Sequence, residues 1–258
     1  MSDAVPKKAD YVLYERSARH YDRVRFSGKA GEWGHQRQIE ILRSLADKWQ
    51  GKKVLEIGCG TGRITETLAR WGVYVTATDI STEMLDVARS RLMGVEGIPR
   101  PEFRTMSVFD IDVDMAGYDL VIMINVLGRL SNACEAIQQV ASRMSGHCRF
   151  VFTFPCLTSV LLPFGLLVNA RGKSLSRDVT SRWYRPKSIK GFCAAAGLNI
   201  LGFYGNHYVP MPRLLFPALP LFRVCDKLLA DSHPARCPSV FVECTLSKPA
   251  PQRPSCPA

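Results

Sequence analysis

None of the nine cysteines stands in a Cys-x-x-Cys pair, and no Cys/His cluster has the spacing of a zinc site. A zinc-ribbon or thioredoxin-type centre is thereby excluded, and no metal is expected. An odd cysteine count in a chain of 258 residues fits reduced, cytosolic thiols better than a disulfide framework. The opening stretch MSDAVPKKAD lacks the apolar core of a secretory signal. The most apolar stretch, residues 155–168, is too short to span a bilayer, and Pro163 interrupts it. No internal repeat of solenoid length is present. The expectation is a soluble, cytoplasmic protein whose greasy segments are compatible with peripheral contact at a membrane. What the chain does have is 47% hydrophobic residues, enough for one sizeable core. Its formal net charge of +11 attracts phosphates, anionic headgroups or acidic substrates without choosing among them.

Short apolar runs alternate with helical patterns along most of the chain. KKVLEIG, VYVTATD, PEFRTMS, YDLVIMIN and CRFVFTF read as strands. RITETLARWG, STEMLDVARSRL and NACEAIQQVASRM between them read as helices, with Gly72 a natural helix stop and Ser81 or Thr82 a cap. LNILGFYG and SVFVECTLSK supply two later strands, the first preceded by the helical RPKSIKGFCAAAG. This rhythm predicts an α/β fold with a doubly wound, mostly parallel seven-stranded sheet. Upstream, Ile39, Leu42, Leu45 and Trp49 fall on roughly one helical face. The predicted organisation is an N-terminal helical cap over residues 1–50 and a main domain over 51–248. An insertion follows strand five at about 155–185, and 249–258 form a proline-rich, disordered tail.

The stretch VLEIGCGTGR places Gly58, Gly60 and Gly62 at alternate positions behind the first strand. A turn of bare backbone there lets a ligand approach closely, at the carboxyl edge of the sheet where ligands bind. The helix that follows points its free N–H groups at the same place. The spacing is Gly-x-Gly-x-Gly, not the Gly-x-Gly-x-x-Gly of a pyrophosphate cradle, and no lysine follows as a phosphate loop requires. Asp79 ends the second strand, 17 positions after Gly62, where a carboxylate can accept hydrogen bonds from both hydroxyls of a ribose. Together the two features ask for a nucleoside-bearing ligand with no diphosphate requirement.

LEIGCGTG followed by TATDIS resembles motifs I and II of the class I S-adenosylmethionine-dependent methyltransferases, most closely over residues 53–154. The resemblance implies a Rossmann-like fold and S-adenosyl-L-methionine as cofactor. It places Glu56 and the loop Gly58, Cys59, Gly60 and Gly62 at the methionine part, and Asp79 at the ribose. Ile80 and Met84 would pack on the adenine, Phe109 would belong to the cofactor site, Asp110 would stand near the adenine amino group, and Asn125 would line the cofactor's lower side. SARHYDRVR is similar to the opening helix of small-molecule members, including quinone-modifying ones, so Tyr21 would cap the pocket. The chain departs from many of these members at NVLGRLS, where they carry a histidine near Gly128–Arg129.

A sulfonium methyl is already a good electrophile, so alignment of the acceptor does most of the work and a base is needed only for a protonated acceptor. His207, Tyr184 and His35 are the candidate bases, each read first as an ordinary packed or surface aromatic. Cys156 follows a proline, as in some pyrimidine-methylating enzymes, but its surroundings do not resemble theirs, and NVLG lacks the signature of amino-methylating nucleic-acid enzymes. The apolar-then-basic segments CLTSVLLPFGLLVNARGK and MPRLLFPALPLFRVCDKLL suit a small-molecule or lipid-like acceptor, methylated at oxygen, or contact with an anionic membrane. A dimer contact or plain core packing would use the same residues. An RNA methyltransferase is the alternative that the charge of +11 motivates, although no basic stripe interleaved with aromatics supports nucleic acid as partner. A non-catalytic scaffold that keeps the fold is the third reading.

Overall fold

The computed structural model describes residues 18, 22, 29–160, 182–207 and 219–247. Helix α1 (Lys29–Ser44) precedes β1 (Lys53–Ile57), α2 (Arg63–Arg70), β2 (Tyr74–Asp79), α3 (Thr82–Leu92) and β3 (Glu102–Thr105). Then come β4 (Leu120–Met123), α4 (Ala133–Ala141), β5 (Arg149–Pro155), α5 (Pro186–Ala195), β6 (Leu198–Gly205), α6 (Leu219–Ser232) and β7 (Ser239–Leu246). The seven strands form one sheet in the order β3-β2-β1-β4-β5-β7-β6. The first five pair in parallel, and β7 inserts antiparallel between β5 and β6.

The central parallel strands β1, β4 and β5 are buried over most of their length because helices cover both faces of the sheet, whereas the edge strand β3 has no buried residue. Side-chain alternation sends Leu55, Ile57, Val121, Met123, Phe150 and Phe152 into one core layer. Val54, Leu120, Ile122 and Val151 enter the other, with Ile41 and Leu42 of α1 and Leu68 of α2. Local chemistry sets the helix ends. Gly72, at φ 78°, closes α2, with its N–H bonded to Ala69 O and the Val73 N–H to Leu68 O. The Ser81 hydroxyl accepts from Met84 N at the start of α3, and Asn132 does the same for Glu135 N at α4. Pro186 occupies the first turn of α5, where its missing N–H costs nothing.

One sequence reading needs adjustment. The second greasy segment contains a 14-residue helix, α6. Trp33 Nε1 of α1 donates to Asp226 Oδ2 on that helix at 3.0 Å, and Arg37 pairs with Asp231. Seven cysteines among the described residues are free thiols, six of them buried. Among the described residues no helix is long and apolar enough to cross a membrane, and no acid/His/Cys cluster has the geometry for a metal. Most of the first 28 residues, the 161–181 part of the insertion and the tail lie outside the described residues.

Candidate functional site

Strand order reverses between β1 and β4, so the loops leaving these strands part and open a crevice at the carboxyl edge. The cleft there is open to solvent at its mouth. Its floor is the glycine loop. Gly58, Gly60 and Gly62 have φ of 75°, 53° and 77°, a region that side chains avoid. The three glycines nevertheless do different work. A Cβ on Gly58 would lie 2.3 Å from Val126 Cγ2, so the loop and the segment after β4 are in contact there. At Gly60 nothing lies within 4 Å of a Cβ position, and the residue lines the cleft, so a side chain would occupy ligand space. Gly62 does not line the cleft; its Cβ would meet Ala88 Cβ at 2.8 Å, which makes it the contact point between α2 and α3. Gly62→Ala is therefore expected to destabilise the fold by about 2 kcal/mol, from left-handed strain plus overpacking. Thermal unfolding checks this, with a fall of several degrees expected.

Two carboxyl groups stand behind the loop. Asp79 Oδ2 accepts from Gly60 N at 2.8 Å and its Oδ1 from Ser81 N at 3.0 Å. Burial raises the Asp79 pKa, and these N–H groups oppose the shift. Glu56 is 2% exposed and accepts from Thr65 Oγ1 at 2.6 Å. Burial pushes its pKa up to about 8, with Asp79 adding to the rise. At neutral pH it is mostly an uncharged acid facing a cleft, a group poised to become a carboxylate when a cation arrives. The Cys59 thiol is also pushed up by burial and by both acids, so it is not a nucleophile.

The described residues bring Glu56, Gly58, Cys59, Gly60, Asp79, Ile80, Met84, Phe109 and Asn125 together around this cleft. Asn125 is in the left-handed region at φ 60°, held by its N–H to Thr153 Oγ1 at 2.7 Å. Strain of this kind collects where a loop is shaped for a ligand. Asp110, by contrast, is exposed and outside the cleft, because its N–H turns back onto Ser107 O and carries its side chain away. Tyr21 lies outside the described residues.

Of the candidate bases, only His35 lines the cleft; burial and the Arg63 guanidinium drive its pKa down to about 4. Tyr184 packs edge-on against Phe192 beside Cys156, and its pKa is raised by burial. His207 sits past β6 with its Nδ1 buried and unpartnered, its pKa lowered by burial, away from the cleft. The Cys156 thiol donates to Ala235 O and is likewise away from it.

Several lining residues were not singled out beforehand: Gln38 from α1, Arg63 at the start of α2, and Arg129 and Leu130 after β4. Outside the lining, Asp22 accepts from Thr61 Oγ1 at 2.6 Å and pairs with Arg91, a link to the glycine loop. Asp22 lies within the SARHYDRVR pattern, directly after Tyr21, and that pattern is the sequence signal for it.

The pocket fits a ligand with a cationic end near Glu56 and a diol near Asp79. Comparisons with known proteins show the family. A family model described as "Methyltransferase domain" matches residues 54–147. A "Ubiquinone biosynthesis O-methyltransferase" from Bordetella avium is 31% identical over 181 residues, covering 69% of this chain and 74% of that protein. A protein of the same name from Coxiella burnetii is 21% identical, covering 78% and 91%. Among solved structures, magnesium protoporphyrin IX methyltransferase from Synechocystis PCC 6803 with bound SAH aligns at a TM-score of 0.66 and 20% identity, over 93% of this chain and 98% of that one. An S-adenosylmethionine-dependent methyltransferase from Mesorhizobium loti aligns at 0.59 and 15% identity, over 81% and 97%. The structural likenesses concern the fold.

Proposed function

This chain belongs to the class I S-adenosylmethionine-dependent methyltransferases, and from that premise we propose that it methylates an oxygen of a small or lipid-like acceptor. S-adenosylmethionine is its cofactor. When bound, the cofactor supplies a methyl carbon on a sulfonium, so the leaving group needs no help from the protein. The chain's residues bind, orient and shield. In our reading Gly58, Gly60 and Glu56 receive the methionine end, Asp79 receives the ribose hydroxyls, and Ile80, Met84 and Phe109 flank the adenine. Asn125 shapes the underside, Tyr21 closes the pocket, and Gly62 acts through packing.

The observation that carries this reading is the Asp79 carboxylate bonded to Gly60 N in a cleft where Gly60 leaves open space. We also propose the helical cap over residues 1–50, the methyltransferase domain over 51–248, the acceptor-side insertion about 155–185 and the tail 249–258. The relatives named as O-methyltransferases of ubiquinone biosynthesis support oxygen as the acceptor atom and a lipid-like acceptor body. The charge of +11 motivates an RNA acceptor as the second reading. Methyl-labelled cofactor incubated with the protein and a cell extract separates the two: label is expected in the organic-soluble fraction, and label confined to RNA would overturn the first reading.

Peripheral membrane contact belongs to the same proposal. Leu221, Val224 and Leu228 of α6 are 68%, 55% and 61% exposed at helical spacing, with Lys227 beside them. Co-sedimentation with vesicles rich in phosphatidylglycerol is expected for the wild type. A Leu221→Glu/Leu228→Glu variant should lose most of it, and equal pelleting of both proteins would contradict the membrane reading.

A further inference from the structure

The two halves of the glycine loop are held from different directions. Beneath the first half, Thr78 O accepts from both Gly58 N and Cys59 N at 2.8 Å, and Asp79 accepts from Gly60 N. The second half turns on Thr61, which lies between Gly60 and Gly62, lines the cleft and is 3% exposed. Two flanking glycines leave this part of the backbone with the most conformational freedom to lose. Segments far along the chain take up the Thr61 hydroxyl and carbonyl. The hydroxyl donates to Asp22 Oδ1 at 2.6 Å, and the carbonyl accepts from Arg91 Nε at 2.8 Å. The Arg91 guanidinium pairs in turn with Asp22, which closes a triangle around Thr61.

The packing of α3 sets up this triangle. Arg91 is in the last turn of that helix, three residues after Ala88, whose Cβ abuts Gly62. Residues three apart share a helix face, so the contact that seats α3 on Gly62 also aims Arg91 at Thr61. Glu66 of α2 lies 3.4 Å from the same guanidinium. The Asp22 and Arg91 side chains are 27% and 25% exposed, so water screens the pair less than an ion pair on the open surface. The Asp22 charge also acts on Arg63 and His35, both of which line the cleft. A carboxylate from the start of the chain thus stands where the glycine loop, α1, α2 and α3 converge.

We propose that Asp22 and Arg91 are positioning residues for the cofactor, a single clamp on Thr61 that fixes the Gly60–Gly62 half of the loop for the methionine end. This rests on the cofactor reading above. Neither residue lines the cleft, so the effect reaches the ligand through Thr61. With the clamp closed, the loop already has its binding shape. Without it, binding must also order two glycines and the residue between them. The adenosine end is received by Asp79, Ile80 and Met84, outside the clamped half, so the loss falls on the amino-acid end.

The test uses the whole chain and calorimetric titration with S-adenosylhomocysteine, then displacement of that ligand by adenosine, which has the ribose and base but no amino-acid end. Failure of S-adenosylhomocysteine to bind the wild type would overturn the cofactor reading, and this proposal with it. Asp22→Ala and Arg91→Gln should each weaken S-adenosylhomocysteine about tenfold and leave adenosine within about twofold. Because the two residues act as one clamp, the double variant should lose no more than about twofold beyond the worse single variant. Asp22→Asn can still accept from Thr61 but lacks the charge that faces Arg91, so it should fall between wild type and Asp22→Ala; it carries the test if the alanine variant does not fold. With the wild type binding normally, unchanged S-adenosylhomocysteine affinity in the single variants, an equal loss for adenosine, or losses that multiply in the double variant would each overturn the proposal.

Discussion

Replacing Asp79 by alanine should weaken S-adenosylmethionine binding by at least about 100-fold, because two charge-assisted hydrogen bonds to the ribose are each worth about 1.5–3 kcal/mol. The effect should exceed that of a ligand contact alone. Asp79 also accepts from Gly60 N and Ser81 N, so it fixes the glycine loop to the start of α3. Without it the loop's N–H groups turn to water and the floor of the cleft loses its shape. Asp79→Asn separates the two roles. An amide oxygen can still accept from Gly60 N, so the loop should hold its place, while the charge that strengthens the ribose contacts is gone. Calorimetric titration of the three proteins should rank them wild type, Asn variant, Ala variant. Equal affinity of wild type and Asp79→Ala would remove Asp79 from the cofactor site.

Glu56 yields the second large effect, one with a definite sign in pH. Its ordinary pKa is 4.5 and its value in the folded protein is about 8. A raised value means that the folded state holds the proton more tightly than the unfolded chain. Glu56 therefore favours the fold most fully below about pH 4.5, and that contribution is lost as pH rises towards 8. Across this window the slope is about 1.4 kcal/mol per pH unit from this group alone. In Glu56→Gln the slope should vanish, so the ligand-free variant should melt above the wild type at pH 8 and close to it at pH 5. Binding runs the other way. A cation beside Glu56 draws the proton off, so binding at pH 7 should release protons, detected as a dependence of the calorimetric heat on the buffer's ionisation enthalpy. Glu56→Gln should release none through this group and should bind 10- to 100-fold more weakly at pH 8, on the order of 1.4–2.8 kcal/mol. A variant that binds as tightly as the wild type would show that Glu56 is only a buried packing acid.

How far the molecule can be read from its chain differs from element to element. The unit of β1, glycine loop and α2 is legible because each part has a local cause. A run of four buried residues needs no partner's identity to be recognised as a strand, and φ near +75° requires glycine in the chain itself. Asp79 is legible for the same reason, as the last residue of an alternating strand. The insertion of β7 between β5 and β6 is not, because register and strand order depend on long-range pairing that leaves no local trace. The α6 helix carries Pro220 in its first turn, where proline is tolerated, so prolines before an apolar run do not locate where a helix begins. Asp110 shows the opposite case. Its position along the chain is next to the cleft, but a turn of three residues aims it outward. Arg63, Arg129, Gln38 and Asp22 come from four separate segments, so their shared location exists only once the chain has folded.

The central claim is that the cleft above Gly58–Gly62 is an S-adenosylmethionine site run by Asp79 and Glu56. The direct measurement is calorimetric titration of the intact protein with S-adenosylmethionine at pH 7 in two buffers of different ionisation enthalpy. The account predicts one saturable site per chain, with protons released on binding and both features sharply reduced in Asp79→Ala and Glu56→Gln. Absence of saturable binding, or binding that neither substitution changes, would contradict it.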